Sequence, residues 1–222
     1  MSHTPTADRN MIDVSYRISG RTLPVEHAHA LSCAVQQSLP WFAQEHDAGL
    51  HLIHVAESGN GWVRPDAAPG ELLHLSRRTR LSLRIPTARL TDAQRLSGST
   101  LDIDGHRLAV GEHKVRSLRP ARTLFSRFVA ASEQDSETEF VAQVTVELQR
   151  MGVQTQTLLC GKTHLIAAPD ERLYTRSLLV AGLTPEESIA LQDSGLGPGR
   201  KFGCGLFIPC KSIEPVDSLD AD

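Results

Sequence analysis

Hydrophobic positions along the chain switch between a strand-like period of two and a helix-like period of about 3.6 residues, and this cycle occurs twice. In the first cycle, Met11–Ile18 is predicted to be a strand. A helix is predicted from Pro24 to Phe42, because apolar residues recur at helical spacing behind a proline that suits a first turn. The other predicted elements are strands at Leu50–Val55 and Leu81–Ile85, a short helix at Thr87–Leu96, and two strands over Leu101–Val110 joined at Asp104-Gly105. Val115–Arg122 either closes this unit or begins a linker.

The second cycle starts at Thr123 and carries stronger local signals. Ser136 with Glu139 forms a capping box that predicts a helix running toward Met151. Thr184-Pro185-Glu186-Glu187 predicts another helix, which ends at Gly195. Strands are predicted at Thr123–Ala131, Val153–Cys160, Leu173–Val180 and Cys204–Cys210, with His164–Ala168 as one arm of a hairpin.

Each cycle has approximately the order strand–helix–strand–strand–helix–strand, which is the ferredoxin-like order. We therefore predict an α+β fold of two ferredoxin-like (RRM-like, βαββαβ) halves packed side by side, spanning residues 11–120 and 121–211. The two halves share no obvious sequence repeat, so this duplication is inferred from element order alone. Residues 1–10 are expected to be a flexible leader and residues 212–222 an acidic tail.

Composition is that of an ordinary soluble globular protein, with 40% hydrophobic and 22% charged residues. No apolar run approaches the roughly 18 residues that a membrane span needs, and the first residues lack an apolar signal-peptide core, so we expect a cytoplasmic protein without a membrane partner. The four cysteines form neither a CxxC pair nor a zinc-ligand spacing. They are predicted to be buried free thiols, and no metal or cofactor is expected.

The net charge of −3 argues at first against a nucleic-acid partner, but its distribution does not. Between Arg77 and Arg127 there are twelve Lys or Arg against four Asp or Glu. Such asymmetry can produce a basic face on an acidic protein, which is what a polyanion requires. Solvated strand faces explain the charge equally well. The predicted phosphate contacts in this region are Arg77, Arg78, Lys114 and Arg116.

The segment Gly195–Gly205 contains five glycines in eleven residues, where average usage of about 7% predicts fewer than one. Arg200 and Lys201 lie inside it, so backbone amides and mobile cations would together suit phosphate. A dinucleotide-binding motif is excluded because the helix precedes the glycines and the strand follows them. A helix C-cap explains Gly195 alone. The predicted polyanion-binding residues are Gly197, Gly199, Arg200, Lys201, Gly203 and Gly205.

Several of these motifs together resemble a known family. The stretch Gly182-Leu-Thr-Pro-Glu-Glu-Ser-Ile-Ala-Leu-Gln192, followed by Gly195-Leu-Gly, Arg200-Lys201, Gly203-Cys-Gly205 and Phe207-Ile-Pro209, resembles the C-terminal signature of the CRISPR repeat-processing endoribonucleases. These enzymes belong to the RAMP (repeat-associated mysterious protein) superfamily, and the similarity is greatest to the MYXAN type I subtype. Gly20–Leu39, with Glu26-His27 opening a helix, is also similar, whereas the middle of the chain is not.

The resemblance implies paired ferredoxin-like folds and a partner, the hairpin of a CRISPR repeat RNA. It also implies metal-independent cleavage within the repeat to give mature guide RNAs, by attack of the 2′-hydroxyl and formation of a 2′,3′-cyclic phosphate. Other subunits of a CRISPR effector complex are implied as further partners. The low aromatic content of 5% agrees with recognition of a hairpin by shape and backbone, because stacking of unpaired bases needs aromatic side chains.

Histidine suits the proton transfers of that reaction because it titrates near neutral pH. His27 and His29 lie in the first turns of a predicted helix, on opposite flanks. We expect His27 to be the base, because it matches the family position better and because a helix N-terminus keeps an imidazole neutral, with His29 as second choice. Lys162 and His164 would approach the RNA if the second half docks there. His51 and His54 lie on a predicted strand, where residues i and i+3 face opposite ways.

Two other functions remain open from the residues alone. The chain is either a catalyst or a non-catalytic RNA-binding RAMP subunit with the same fold, because two histidines on helix flanks are also compatible with solvated side chains. A small-molecule-binding ferredoxin-like protein would instead use the glycine-rich loop for a phosphate-bearing ligand.

Overall fold

Two antiparallel sheets, one in each half of the chain, form the framework of the molecule. The computed structural model describes residues 10–54, 71–167 and 172–210, so the expected leader and acidic tail lie outside the described residues except for Asn10. The connection between the sheets runs from Ser117 to Thr123, and the expected boundary at residues 120 and 121 lies within it. Within the described residues, no helix is long and apolar enough to cross a membrane.

The first half contains seven strands and three α-helices among the described residues. They are β1 (Met11–Ser19), β2 (Thr22–Pro24), α1 (Ala28–Ser38), α2 (Trp41–Gln44), β3 (Gly49–His51), β4 (Leu72–His74), β5 (Arg80–Pro86), α3 (Leu90–Gln94), β6 (Thr100–Ile103) and β7 (His106–Ser117). The main sheet has the order β3-β5-β1-β7-β6, and β2 pairs with β4 separately. Alternate residues of β1 and β5 enter the core, as the Leu81/Leu83/Ile85 alternation predicts.

The second half contains β8 (Thr123–Ala130), α4 (Glu137–Arg150), β9 (Thr157–Ala167), β10 (Arg172–Ala181), α5 (Pro185–Ser194) and β11 (Ile208–Pro209). Its sheet has the order β11-β8-β10-β9. We number β1, β3, β5 and β7 as strands 1 to 4 of the first half, and β8 to β11 as strands 1 to 4 of the second. Both sheets then have the same spatial order of these strands, 4-1-3-2. The two ferredoxin-like halves predicted from element order are therefore confirmed.

Elements with strong local signals form where they were predicted. Both capping boxes are present, with the Ser136 and Thr184 side chains accepting from the amides of Glu139 and Glu187. The hairpin at Asp104-Gly105 has positive φ angles of 51° and 81°, as a type I′ turn requires.

Two predicted elements, the helix from Pro24 to Phe42 and the last strand, were wrong in extent. Pro24 does not start a helix, because it ends β2 and pairs with Leu72 of β4. The expected long helix is also divided by Pro40, which separates α1 from α2. The last strand is short, since its predicted first half belongs to the folded glycine-rich loop.

Arg84 on β5 joins the two halves and is almost completely buried, with 1% of its surface exposed. Its Nε and Nη2 atoms donate to both carboxylate oxygens of Asp13 at 2.8 and 3.0 Å. Its Nη1 atom donates to the carbonyl oxygens of Gln192, near the end of α5, and Phe207, at 3.1 and 2.7 Å. Burial raises the pKa of Asp13, but hydrogen bonds from His51 and Arg84 outweigh this and hold that pKa well below its usual value.

We predict that Arg84→Ala lowers the free energy of unfolding by about 3–5 kcal/mol, because it leaves the Asp13 carboxylate and two carbonyl groups unpaired at the junction. Arg95→Ala is the matched control, since the Arg95 side chain is 78% exposed and should change stability by less than about 0.5 kcal/mol. Urea denaturation of both variants measures the difference. A loss below about 1 kcal/mol for Arg84→Ala would contradict the bridging role.

Candidate functional site

His27 lies immediately before α1 and is buried, with 2% of its surface exposed. Its Nδ1 atom lies 2.9 Å from the carbonyl oxygen of Pro24 and 3.1 Å from that of Val25. Carbonyl groups only accept, so Nδ1 carries the proton and Nε2 carries a lone pair. That lone pair accepts the backbone amide of Ile53 at 3.1 Å.

These bonds give His27 a structural role, which is to tie the segment after β3 to the start of α1. Both ring nitrogens are engaged with backbone groups, so a base at this position would first have to release the Ile53 amide. The sequence-based preference for His27 over His29 therefore has no support in the geometry. The sequence could not show that Nε2 of His27 is occupied, because its partner, the Ile53 amide, comes from a segment 26 residues away.

His29 lies in the first turn of α1 and is half-buried. Its ring stacks on that of Phe202 in the glycine-rich loop, with 6.3 Å between the centroids and 19° between the planes. Its Nε2 atom lies 3.5 Å from the sulfur of Cys33, one helical turn further on. The histidine near the start of the chain and the loop near its end, predicted to act at separate places, are thus brought together.

A small apolar group at this place joins the two halves, and we call it the seam cluster. It consists of Ala28, Phe128, Ile166 and Cys204, with Leu52, Leu173 and Phe202 packed against them. Two further histidines lie on its Phe128 ring. The centroid of His54 is 6.3 Å from that of Phe128, and the centroid of His164 is 5.6 Å from it, edge to face.

The seam cluster therefore has histidines from three segments around it, namely His29 on α1, His54 after β3 and His164 on β9. Lys162, one of the predicted RNA contacts, is exposed on the same edge strand as His164, two residues before it. His54 was predicted to lie on a strand with His51. It lies beyond the end of β3 instead, and a polar residue just after a buried strand is the signal that would have identified it.

The two cations of the glycine-rich loop are bound within the protein and are not the mobile side chains that were predicted. Arg200 is 9% exposed, and its guanidinium donates to the carbonyl groups of Asp193 and Ser194 at the end of α5. Lys201 donates from Nζ to the carbonyl oxygens of Glu45 and Ala48 at 2.5 and 2.7 Å.

The surroundings of Lys201 explain why it stays in place. Its Nζ atom lies 4.2 Å from the centre of the Phe42 ring, in a cation–π contact. Burial, with a smaller effect from the charge of Arg200, lowers the pKa of Lys201 to about 8. Both cations are thus bound to carbonyl groups of the protein, and they hold the loop to both halves.

Glycines of the loop permit close packing, and some of them also border a cleft. Gly203 and Gly205 permit close packing, because a Cβ at Gly203 would lie 2.8 Å from Leu52 and one at Gly205 would overlap the backbone of Leu196. The amide of Gly205 also donates to the carbonyl oxygen of Phe128 at 2.7 Å. Gly197 and Gly199 line an open cleft of about 400 Å³, and Arg200 and Lys201 line it as well. Four of the six predicted loop contacts therefore border this cleft.

Exposed cations collect on a different surface, the face of the first sheet that points away from its core. Arg17 on β1 lies opposite Arg80 on β5, and Ser15 lies opposite Lys114 on β7. Paired residues of neighbouring strands share a face, so these side chains form one surface, which we call the basic face. Arg116, opposite Asp13, continues it, and Arg77 and Arg78 are exposed in the turn before β5.

The cysteines form no disulfide among the described residues. All four cysteines are free thiols, as predicted, but only Cys204 is buried, while Cys33 and Cys160 are half-buried and Cys210 is exposed. In the part of the chain that the structure describes, no three His, Cys, Asp or Glu side chains are grouped so that they would hold a metal ion.

A family model and a known protein that are similar to this chain both carry the name Cas6. The family model described as "Cas6 Crispr" matches residues 12–212. The CRISPR-associated endonuclease Cas6 of Myxococcus xanthus (strain DK1622) is 30% identical over 198 residues, which are 89% of this chain and 81% of that protein.

Solved structures show the same likeness of fold. A RAMP protein that binds different RNA substrates has a TM-score of 0.61 at 15% identity, over 89% of this chain and 98% of its own. A Cas6-related protein from Pyrococcus furiosus has a TM-score of 0.59 at 11% identity, over 90% and 99%.

We predict that Gly205→Ala is much more damaging than Gly98→Ala, although both glycines have positive φ angles, of 68° and 86°. A Cβ at Gly98 meets no atom within 4 Å, so that variant should lose only the backbone cost of about 1–2 kcal/mol. Gly205→Ala must also displace the Leu196 backbone and should lose more than about 3 kcal/mol, or fail to fold. Thermal and urea denaturation measure both. Equal losses would show that the loop packing tolerates a side chain.

Proposed function

This chain belongs to the Cas6 family of CRISPR proteins, and we propose that it is a metal-independent endoribonuclease that cleaves CRISPR precursor RNA within the repeat. In the proposed reaction the 2′-hydroxyl beside the scissile phosphate attacks the phosphorus. The P–O bond to the 5′ oxygen breaks, which leaves a 2′,3′-cyclic phosphate on one product and a 5′-hydroxyl on the other. The proposal includes retention of the guide RNA in an effector complex, which the family resemblance implies.

The observation that carries this proposal is the arrangement of His29, His54 and His164 around the seam cluster. Cleavage by internal attack needs a base for the 2′-hydroxyl and a proton donor for the departing 5′ oxygen. Imidazoles serve both functions near neutral pH. Their origin in three separate segments favours a site that exists only in the folded molecule.

Within this site, we assign the base to His29. It is half-buried, its ring is oriented by Phe202, and one nitrogen contacts the thiol of Cys33. His54 and His164 are the candidates for the proton donor. We assign to Lys162, on the strand that carries His164, the role of offsetting the charge that develops on the phosphate.

The basic face is the proposed surface for the repeat hairpin. Arg17 and Arg80 lie opposite each other on neighbouring strands, and Nη1 of Arg80 donates to the carbonyl oxygens of Arg77 and Thr79. An RNA backbone would be attracted to the exposed cations of this surface. Lys114 and Arg116 extend the face along β7, and Arg77 and Arg78 extend it into the turn before β5. The rim of the glycine-rich loop, at Gly197 and Gly199, is a further proposed contact.

We predict that His29→Ala reduces the single-turnover cleavage rate of a repeat hairpin by about 100- to 10,000-fold, because it removes the general base. Excess EDTA should leave the wild-type rate unchanged. His74→Ala is the matched control, since His74 is exposed on β4 and should cleave at the wild-type rate. The 5′ product should carry a cyclic phosphate, which acid treatment or a cyclic phosphodiesterase identifies.

We predict that His27→Ala affects stability and not catalysis, which distinguishes the role of His27 from that of His29. It should lower the free energy of unfolding by about 1–3 kcal/mol, because the buried Ile53 amide loses its acceptor, while the folded protein keeps most of its cleavage rate. Full activity of His29→Ala would overturn the assignment of the base, and cleavage abolished by EDTA would overturn the metal-free mechanism. Tight hairpin binding without any cyclic product would favour a non-catalytic RNA-binding subunit.

We predict that Lys114→Ala reduces the slope of log Kd against log salt by about one, because one fewer phosphate contact releases one fewer counterion. Lys201→Ala is the comparison, since Lys201 is engaged with carbonyl groups. It should lower the melting temperature and leave the salt slope unchanged. A reduced slope for Lys201→Ala, with no change for Lys114→Ala, would show that the RNA binds at the glycine-rich loop and not at the basic face. Binding by the wild type that is indifferent to salt would favour the small phosphate-bearing ligand instead.

A further inference from the structure

The two ring nitrogens of His29 have unequal surroundings. Nε2 lies 3.5 Å from the sulfur of Cys33, and both residues are on α1, four positions apart, where side chains share one face. Among the residues that the structure describes, none forms a hydrogen bond with Nδ1 of His29. In His27, by contrast, both nitrogens are bound to backbone groups.

The ring plane is restrained as well. Phe202 lies nearly parallel to the imidazole, at 19° and 6.3 Å between centroids. The position of Phe202 is itself determined by the loop, because its neighbours Arg200 and Lys201 are bound to carbonyl groups of both halves. A ring held on one face by an aromatic side chain and on one nitrogen by a thiol has few orientations left.

We infer that Cys33 is a positioning residue for the proposed cleavage reaction. In this inference the Nε2–H group of His29 donates to the sulfur, which leaves the Nδ1 lone pair for the 2′-hydroxyl; a thiol that donated to Nε2 would instead leave the proton on Nδ1. A thiol sulfur is a weak acceptor. A weak contact is sufficient here, since the two neutral tautomers of imidazole differ little in free energy and the hydrogen bond made by one nitrogen decides which of them is present. This inference rests on the proposed function, in which His29 is the base.

In the attack of the 2′-hydroxyl on the phosphorus, one proton moves to His29 and the others stay in place. Nδ1 takes the proton of the 2′-hydroxyl as the oxygen bonds to phosphorus, so His29 becomes an imidazolium with protons on both nitrogens. The Nε2 proton remains shared with the sulfur throughout. Cys33 forms no bond to the RNA, and its thiol proton is not transferred.

Kinetics of Cys33→Ala, Cys33→Ser and Cys160→Ala test the inference. Cys33→Ala should lower kcat by about tenfold with KM for the hairpin unchanged, because the tautomer is no longer held and binding is not affected. Cys33→Ser should restore most of kcat, because a hydroxyl also accepts. Cys160→Ala, at the other half-buried thiol, should match the wild type.

A spectroscopic measurement gives an answer that does not depend on cleavage. Nitrogen-15 NMR of histidine-labelled protein, with His29→Ala used to assign the signals, reports which ring nitrogen carries the proton. The wild type should show His29 protonated on Nε2, and Cys33→Ala should show a mixture of tautomers. A melting temperature for each variant identifies any loss of fold.

The outcomes separate the inference from the proposed function. If His29→Ala is inactive while Cys33→Ala keeps the wild-type kcat and tautomer, the inference is wrong and the proposed function stands. If His29→Ala cleaves normally, the assignment of the base is wrong, and the role of Cys33 is rejected with it. A kcat loss in Cys33→Ala that Cys33→Ser does not restore, with the tautomer of His29 unchanged, would show that Cys33 acts through packing alone and would overturn the inference.

Discussion

The binding of carbonyl groups at the end of α5 by two buried arginines is the interaction on which the joint between the halves depends. A helix ends with carbonyl groups that have no partner within the helix, and a buried helix end must find partners elsewhere. Arg84 reaches Gln192 from the first sheet, and Arg200 reaches Asp193 and Ser194 from the loop. The negative end of the helix favours both cations, and Asp13 offsets the cost of burying Arg84.

A loop held in this way becomes a rigid part of the site. Since Arg200 and Lys201 are fixed to opposite halves, Phe202 is carried against His29, and the Gly205 amide reaches the carbonyl oxygen of Phe128. Phe128 in turn supports His54 and His164. The glycines are needed because the backbone passes within contact distance of Leu52 and Leu196. Their number follows from close packing more than from phosphate binding.

The positive charge of this protein serves two separate purposes. Arg84, Arg200 and Lys201 are buried or half-buried and satisfy carbonyl groups, so they add to cohesion between the halves. The cations of the basic face, among them Arg17 and Lys114, are exposed and lie near one another across strands. Under the proposed function, the repeat RNA contacts the second set. Counting charges along the sequence adds the two sets together and does not distinguish them.

Sequence by itself determined the elements whose signals are local. The capping boxes at Ser136 and Thr184 and the turn at Asp104-Gly105 involve residues no more than three positions apart, and the two ferredoxin-like halves followed from the order of such elements. Tertiary structure alone decided which histidine has both ring nitrogens bound to backbone groups and which does not. His27 and His29 differ by two positions in sequence, and only the Ile53 amide and the Phe202 ring, brought from distant segments, distinguish them. The same holds for Arg200, whose partners depend on where the folded loop meets the end of α5.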